Sequence, residues 1–178
     1  MIYLQLFLSF LKNTLNIMDL RIGQGYDIHR LAEGRELWLG GVRVPSLIGL
    51  VGHSDADALL HAIIDAVLGA LALGDIGGWF PDTDETWRGA DSKMLLRRVL
   101  EDERVAAWRL INLDCTIIAE RPKLMAYKEA IRSSLAVLFG CDITCVSVKA
   151  KTHEKLDSLG AGEALSAIAV VLMEKKNG

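Results

Sequence analysis

His61 stands four residues after Asp57 and four before Asp65, in a run otherwise made of alanine, isoleucine, valine, leucine and one glycine from Ala58 to Leu73. On a helix these three positions share one face. An imidazole so placed is either a core histidine satisfied by its neighbours or a metal ligand whose second ring nitrogen is held by a carboxylate. A second pair, Asp27 and His29, lies in a segment of extended character. Alternation sends i and i+2 to the same face, roughly 7 Å apart. Alone, that pair reads equally as a solvated strand end. Taken together, Asp27, His29 and His61 supply one oxygen and two nitrogens, the set of a zinc site that keeps its fourth position open. The cysteines lie elsewhere, so a structural cysteine site is not expected. Gly23 and Gly25 lack the third glycine and the following helix of a dinucleotide fingerprint.

Three further stretches carry chemistry. The segment from Gly74 to Gly89 has no periodicity and is long for a plain connection, which suits a binding loop or lid. Its Asp75, Asp82 and Asp84 could accept from sugar hydroxyls or simply form turns. The turn from Glu120 to Met125 places Arg121 and Lys123 at the end of a strand and the start of a helix, a candidate phosphate loop. The run Lys149 to Lys155 sets Lys151, Thr152, His153 and Glu154 in one loop, which suits a diphosphate with its divalent ion.

Elements must position these groups. Ser54, with Asp57 three residues later, reads as the cap of a helix running to Leu73. Strands are expected at 21–29, 37–45, 110–119, 143–150 and 165–173. In the third of these Ile111, Leu113, Cys115 and Ile117 form the inner face. Helices are expected at 91–105, buried through Met94, Leu95, Val99 and Leu100, and from the basic turn to about Phe139. The fold class is α/β (α+β), a single domain with a mixed sheet of four to five strands and helices on one face.

A chain of 178 residues suits one domain. With 51% apolar and 24% charged residues it is an ordered globular protein. A net charge of -3 gives no footprint for nucleic acid or an anionic membrane. Three cysteines, Cys115, Cys141 and Cys145, form no CxxC pair, which fits reduced, inert thiols in a cytosolic or stromal compartment, and the localisation expected is the cytoplasm of a bacterium. Residues 1–17 read as an extension outside the fold, with 18–178 as the domain, because the patterned chain begins after Met18. Their apolar stretch is too short to span a membrane and lacks a basic leader region.

Several segments together resemble the 2-C-methyl-D-erythritol 2,4-cyclodiphosphate synthase family of the non-mevalonate isoprenoid pathway. These are Arg21 to His29, Gly52 to His61, Leu73 to Gly77 with Phe80 to Asp84, and Lys149 to Lys155, in unbroken order. The resemblance implies a homotrimer with interfacial active sites. It implies a substrate, 4-diphosphocytidyl-2-C-methyl-D-erythritol 2-phosphate, cyclised with loss of CMP. It places zinc on Asp27, His29 and His61, and a magnesium or manganese ion on the diphosphate, held in part by Glu154. His53 and Thr152 would stabilise the transition state, with Ser54 at the substrate. Asp75, Ile76, Gly77, Phe80, Asp82 and Asp84 would line the sugar side. Ala119, Pro122, Lys123, Leu124 and Met125 would form the cytidine pocket, with Lys151 and His153 beside the phosphates. Where many members have Gly-Arg-Gly-Glu-Gly, this chain reads Gly160-Ala161-Gly162-Glu163-Ala164, and Ser158 replaces a bulkier apolar residue. Two rivals remain: a zinc phosphohydrolase with Asp55 or Asp57 as base, and a non-catalytic trimeric binder of metal or nucleotide.

Overall fold

The computed structural model describes residues 19–176 and the isolated position Gln5; the expected extension at 1–17 lies almost wholly outside them. Strand β1 (Leu20–Glu33) is followed by a hairpin of β2 (Leu37–Leu39) and β3 (Val42–Val44), then by β4 (Ile48–Leu50). Helix α1 (Ala58–Ala70), the short α2 (Ile76–Trp79), α3 (Ser92–Glu101) and α4 (Glu103–Ala106) precede β5 (Trp108–Ile118). Helix α5 (Lys128–Phe139), β6 (Val146–Lys151), α6 (Asp157–Gly160) and β7 (Ala164–Lys175) complete the chain. Five strands form one mixed sheet in the order β4-β1-β7-β5-β6, in which only β5 and β6 run parallel.

The glycines passed over as a nucleotide signal have a steric purpose. A Cβ on Gly23 would lie 1.9 Å from the Ala66 carbonyl oxygen, and one on Gly25 1.9 Å from that of Ala62. Two residues along β1 therefore match four along α1, so helix and strand run antiparallel at backbone contact. Asp27, next on the same strand face, is thereby brought to the start of α1, where His61 lies. Under the helix, Leu165, Ala167, Ala169, Val171 and Met173 of β7 are buried. The opposite sheet face stays open, with Ile22 72% and Tyr26 49% exposed and Ile28 beside them.

Some boundaries differ from expectation. The first helix starts at Ala58 with Asp57 as its cap, accepting from Leu60 N–H at 3.0 Å; Ser54 lies outside it. Asp57 also accepts from Gly40 N–H (2.9 Å) and Gly41 N–H (2.7 Å). A carboxylate with two free oxygens takes three donors where a hydroxyl takes fewer, which is why it wins the cap. Asp57→Ala is expected to leave these donors unpaired and cost about 3 to 5 kcal/mol, read from the urea midpoint. The helix expected at 91–105 breaks at Asp102, which caps α4, and it buries Leu95, Leu96 and Val99 while Met94 is exposed. In β5 a bulge between Leu110 and Asn112 turns Leu110 inward and leaves Ile111 only half-buried. The strand expected from Ile143 starts at Val146, after a 3-10 turn. Cys115 is buried, which pushes its thiol up to about 12 and keeps it inert.

Candidate metal and nucleotide site

Asp27 Oδ2, His29 Nε2 and His61 Nδ1 form a triangle with sides of 2.9, 3.0 and 3.2 Å. The Val51 carbonyl, which can only accept, sits 2.9 Å from His29 Nδ1. That nitrogen therefore carries the hydrogen, and the Nε2 lone pair is left facing the triangle. An anionic oxygen and lone pairs converging at such spacing suit a small divalent cation, and the three groups can hold a metal ion. Burial alone would raise the Asp27 carboxyl, but the interactions with the adjoining His29 and His61 rings prevail and hold it well below the usual carboxylate range. Burial alone would lower His29, but the Asp27 bond prevails and raises it above the ordinary histidine value. Proton and cation compete for the same Nε2 lone pair. Metal affinity is expected to be level in the alkaline range and to weaken as pH falls through the raised His29 value. A chelator competition series from about pH 8 to about pH 5.5 checks this, and a flat series would contradict it.

Neither Asp57 nor Asp65 orients the His61 ring, although both share its helix. Asp57 is spent on the cap, and Asp65 accepts from Ile76 N–H at 2.7 Å, anchoring the following loop. Instead His61 Nε2 meets Ser92 Oγ at 3.0 Å and Ser54 Oγ at 3.1 Å. Ser92 is fully buried at the start of α3 and is bonded through its hydroxyl and its N–H to Asp55. Sequence reasoning missed it, since 37 residues separate Asp55 from Ser92 and no local pattern links them.

The expected site residues fall into two groups. Asp27, His29, His53, Ser54, His61, Ile76, Gly77, Phe80 and Asp82 line a cleft of 520 Å³, with Trp87 as an unforeseen wall. Asp75 and Asp84 do not line it; their carboxylates cap short helices by accepting from Gly78 N–H and Thr86 N–H, each at 2.9 Å. His53 Nε2 lies 3.3 Å from the Asp84 carbonyl at the rim. Asp55 and Asp57 are also absent from this lining: Asp55 is engaged by Ser92 and Asp57 by three backbone N–H groups, which does not favour either as the base of the hydrolase rival. The second group, Ala119, Pro122, Lys123, Leu124, Met125, Lys151 and Thr152, lines a separate 220 Å³ pocket together with Lys128 and Ala150. Thr152 Oγ1 donates to Glu154 at 2.6 Å, and His153 Nδ1 lies 3.1 Å from Asp157. Glu120, to which no role was given, accepts from the N–H groups of His153 (3.0 Å) and Lys155 (3.2 Å) and ties the two loops together. The two pockets share no residue. A larger open cleft of 620 Å³ beside the β2–β3 hairpin has its Arg43 and Glu36 paired with each other at 2.8 Å.

A mixed sheet with one helix laid at backbone contact, holding two imidazoles and a carboxylate around one point, defines an α/β protein with a metal-capable cleft. The profile of the YgbB family matches residues 20–174, and the chain belongs to that family. It is 58% identical over 153 residues to the 2-C-methyl-D-erythritol 2,4-cyclodiphosphate synthase of Chromobacterium violaceum, spanning 86% of this chain and 97% of that one. A solved 2-C-methyl-D-erythritol 2,4-cyclodiphosphate synthase with bound CDP is similar with a TM-score of 0.79 and 41% identity, over 86% of this chain and 99% of that one. The bifunctional IspDF of Campylobacter jejuni matches with a TM-score of 0.85 and 38% identity over 90% of this chain, which spans 43% of that longer one.

Proposed function

We infer that the chain is a 2-C-methyl-D-erythritol 2,4-cyclodiphosphate synthase, a cyclising lyase of the non-mevalonate isoprenoid pathway. It converts 4-diphosphocytidyl-2-C-methyl-D-erythritol 2-phosphate to the 2,4-cyclodiphosphate and CMP. The observation that carries this reading is the Asp27, His29 and His61 triangle, within a chain that matches synthases along nearly their whole length.

The substrate's own 2-phosphate attacks the β-phosphorus, a P–O bond forms there, and the bond to CMP breaks. No protein nucleophile is required. The chain's task is to align mutually repelling anions and to neutralise charge as it develops. Zinc on Asp27, His29 and His61 would supply Lewis-acid polarisation of a phosphate oxygen, and magnesium or manganese near Glu154 would neutralise the diphosphate. His53 and the Thr152 hydroxyl, which would turn from Glu154 to the substrate once that carboxylate holds its cation, donate to the equatorial oxygens, each contributing about 2 to 4 kcal/mol. Lys123 and Lys151 attract the phosphates, while the pocket of Ala119, Pro122, Leu124 and Met125 holds the cytidine. Ser54, Ile76, Gly77, Phe80 and Asp82 contact the methylerythritol part. Asp75 and Asp84 shape that wall by capping its turns, and His153 braces the Thr152 loop.

The two half-sites on separate pockets support a homotrimer in which the metal half of one copy faces the nucleotide half of the next. The open face around Ile22, Tyr26 and Ile28 supports the same assembly, because contiguous exposed apolar surface marks an interface. No described helix is long and apolar enough to cross a membrane, and the substrate is a small molecule. Purified protein with zinc and magnesium is expected to release CMP and to form a cyclic diphosphate free of label when run in oxygen-18 water. Absence of CMP would defeat the enzyme reading, and label in the product would favour hydrolysis.

A further inference from the structure

We propose that Ser92 and Asp55 are positioning residues that fix His61 as a metal ligand through its Nδ1; this rests on the metal reading of the Asp27, His29 and His61 site.

Hydrogen bookkeeping carries the inference. Asp55 accepts Ser92 N–H at 3.0 Å on one oxygen and the Ser92 hydroxyl on the other. It also accepts Asp57 N–H at 3.2 Å. A carboxylate offers no hydrogen, so the single hydrogen of the Ser92 hydroxyl points at Asp55. Ser92 Oγ can then only accept from His61 Nε2, 3.0 Å away, in a spot where Ser92 is wholly shielded from solvent. Ser54 Oγ, the other neighbour of Nε2, already accepts from Ala56 N–H at 3.1 Å. That bond leaves Ser54 its own hydrogen and so allows either direction there, whereas Ser92 requires Nε2 to donate. The hydrogen of the neutral ring therefore resides on Nε2, and Nδ1 presents its lone pair to the point shared by Asp27 Oδ2 and His29 Nε2.

Without the relay, Nδ1–H could donate to Asp27 at 3.0 Å, and a ring in that tautomer cannot ligate. The carboxylate makes Ser92 a committed acceptor, so it selects the binding tautomer before any metal arrives. It does the same for the ring plane, since the Ser92 N–H bond holds the start of α3 against Asp55. Backing groups of this kind typically change metal affinity 10- to 100-fold.

The tautomer and the affinity are both measurable without turnover, so failure here is distinguishable from failure of the enzyme reading. In metal-free protein at alkaline pH, long-range nitrogen-15 NMR is expected to show His61 with its hydrogen on Nε2, and Ser92→Ala is expected to show a mixture. Zinc affinity by chelator competition is expected to weaken 10- to 100-fold in Ser92→Ala. Activity at limiting zinc falls with it and returns in excess zinc with KM unchanged. Asp55→Ala, in which Ser92 regains a free hydroxyl, is expected to weaken zinc in the same range and serves if Ser92→Ala does not fold. Wild-type protein with the hydrogen on Nδ1 would overturn the proposal. So would zinc affinity unchanged in the folded variants, including the case where only their melting temperatures fall.

Discussion

His61→Ala is expected to lose the metal and to lower kcat/KM by on the order of a thousandfold, about 4 kcal/mol, while the protein stays folded. The imidazole offers one of three ligand atoms, and the two that remain would leave a cation without a defined open position. The fold survives because α1 is held by its other residues. Leu59, Leu60, Ile63, Ile64, Val67 and Leu68 are buried, and Asp57 still caps the helix. Ser92 keeps its bonds to Asp55, so the lost side chain strands no hydroxyl. A cost of about 1 kcal/mol in stability is therefore expected. Elemental analysis and thermal melting read the two halves separately. Stoichiometric zinc in the variant would remove His61 from the ligand set, and an unfolded variant would mean that the ring is chiefly a core residue.

Two inactive variants are expected to restore each other. Thr152→Ala damages the nucleotide half and His61→Ala the metal half, and these lie on pockets with no residue in common. If the chain forms the proposed cyclic trimer, each site would take its metal half from one copy and its nucleotide half from the next. Random mixing of the two variants in equal amounts then gives about a quarter of sites with both halves intact. Co-refolded mixtures should release CMP at about that fraction of the wild-type rate, far above either parent. Parents that remain inactive when mixed would place both halves of the site within a single chain.

Ser54 shows one limit of local reasoning, since a hydroxyl followed by Asp57 is a good capping pattern and yet the carboxylate takes the cap. The bulge at Ile111 shows another, because a register shift of one residue reverses which side chain is inside and leaves no mark in the alternation itself. Asp27, His29 and His61 were nonetheless legible. Their residue types are rare together, and each sits where strand or helix periodicity gives it a definite face.

What the sequence by itself determined is therefore the metal-capable group of Asp27, His29 and His61 and four of the five sheet strands, because these follow from side-chain chemistry and short-range periodicity. The single strand expected at 37–45 is instead the separate β2–β3 hairpin, and β4 was not foreseen. What only the tertiary structure decided is which carboxylate serves which partner. Asp57 and Asp65 lie on the His61 face of the helix, but Gly40, Gly41 and Ile76, distant in sequence, claim them. Ser92, backed by Asp55, reaches the ring instead because a loop returns α3 to the start of α1. Hydrogen-bond donors and acceptors are allotted in three dimensions, where buried donors compete for the acceptors within reach, and sequence spacing carries no record of that competition.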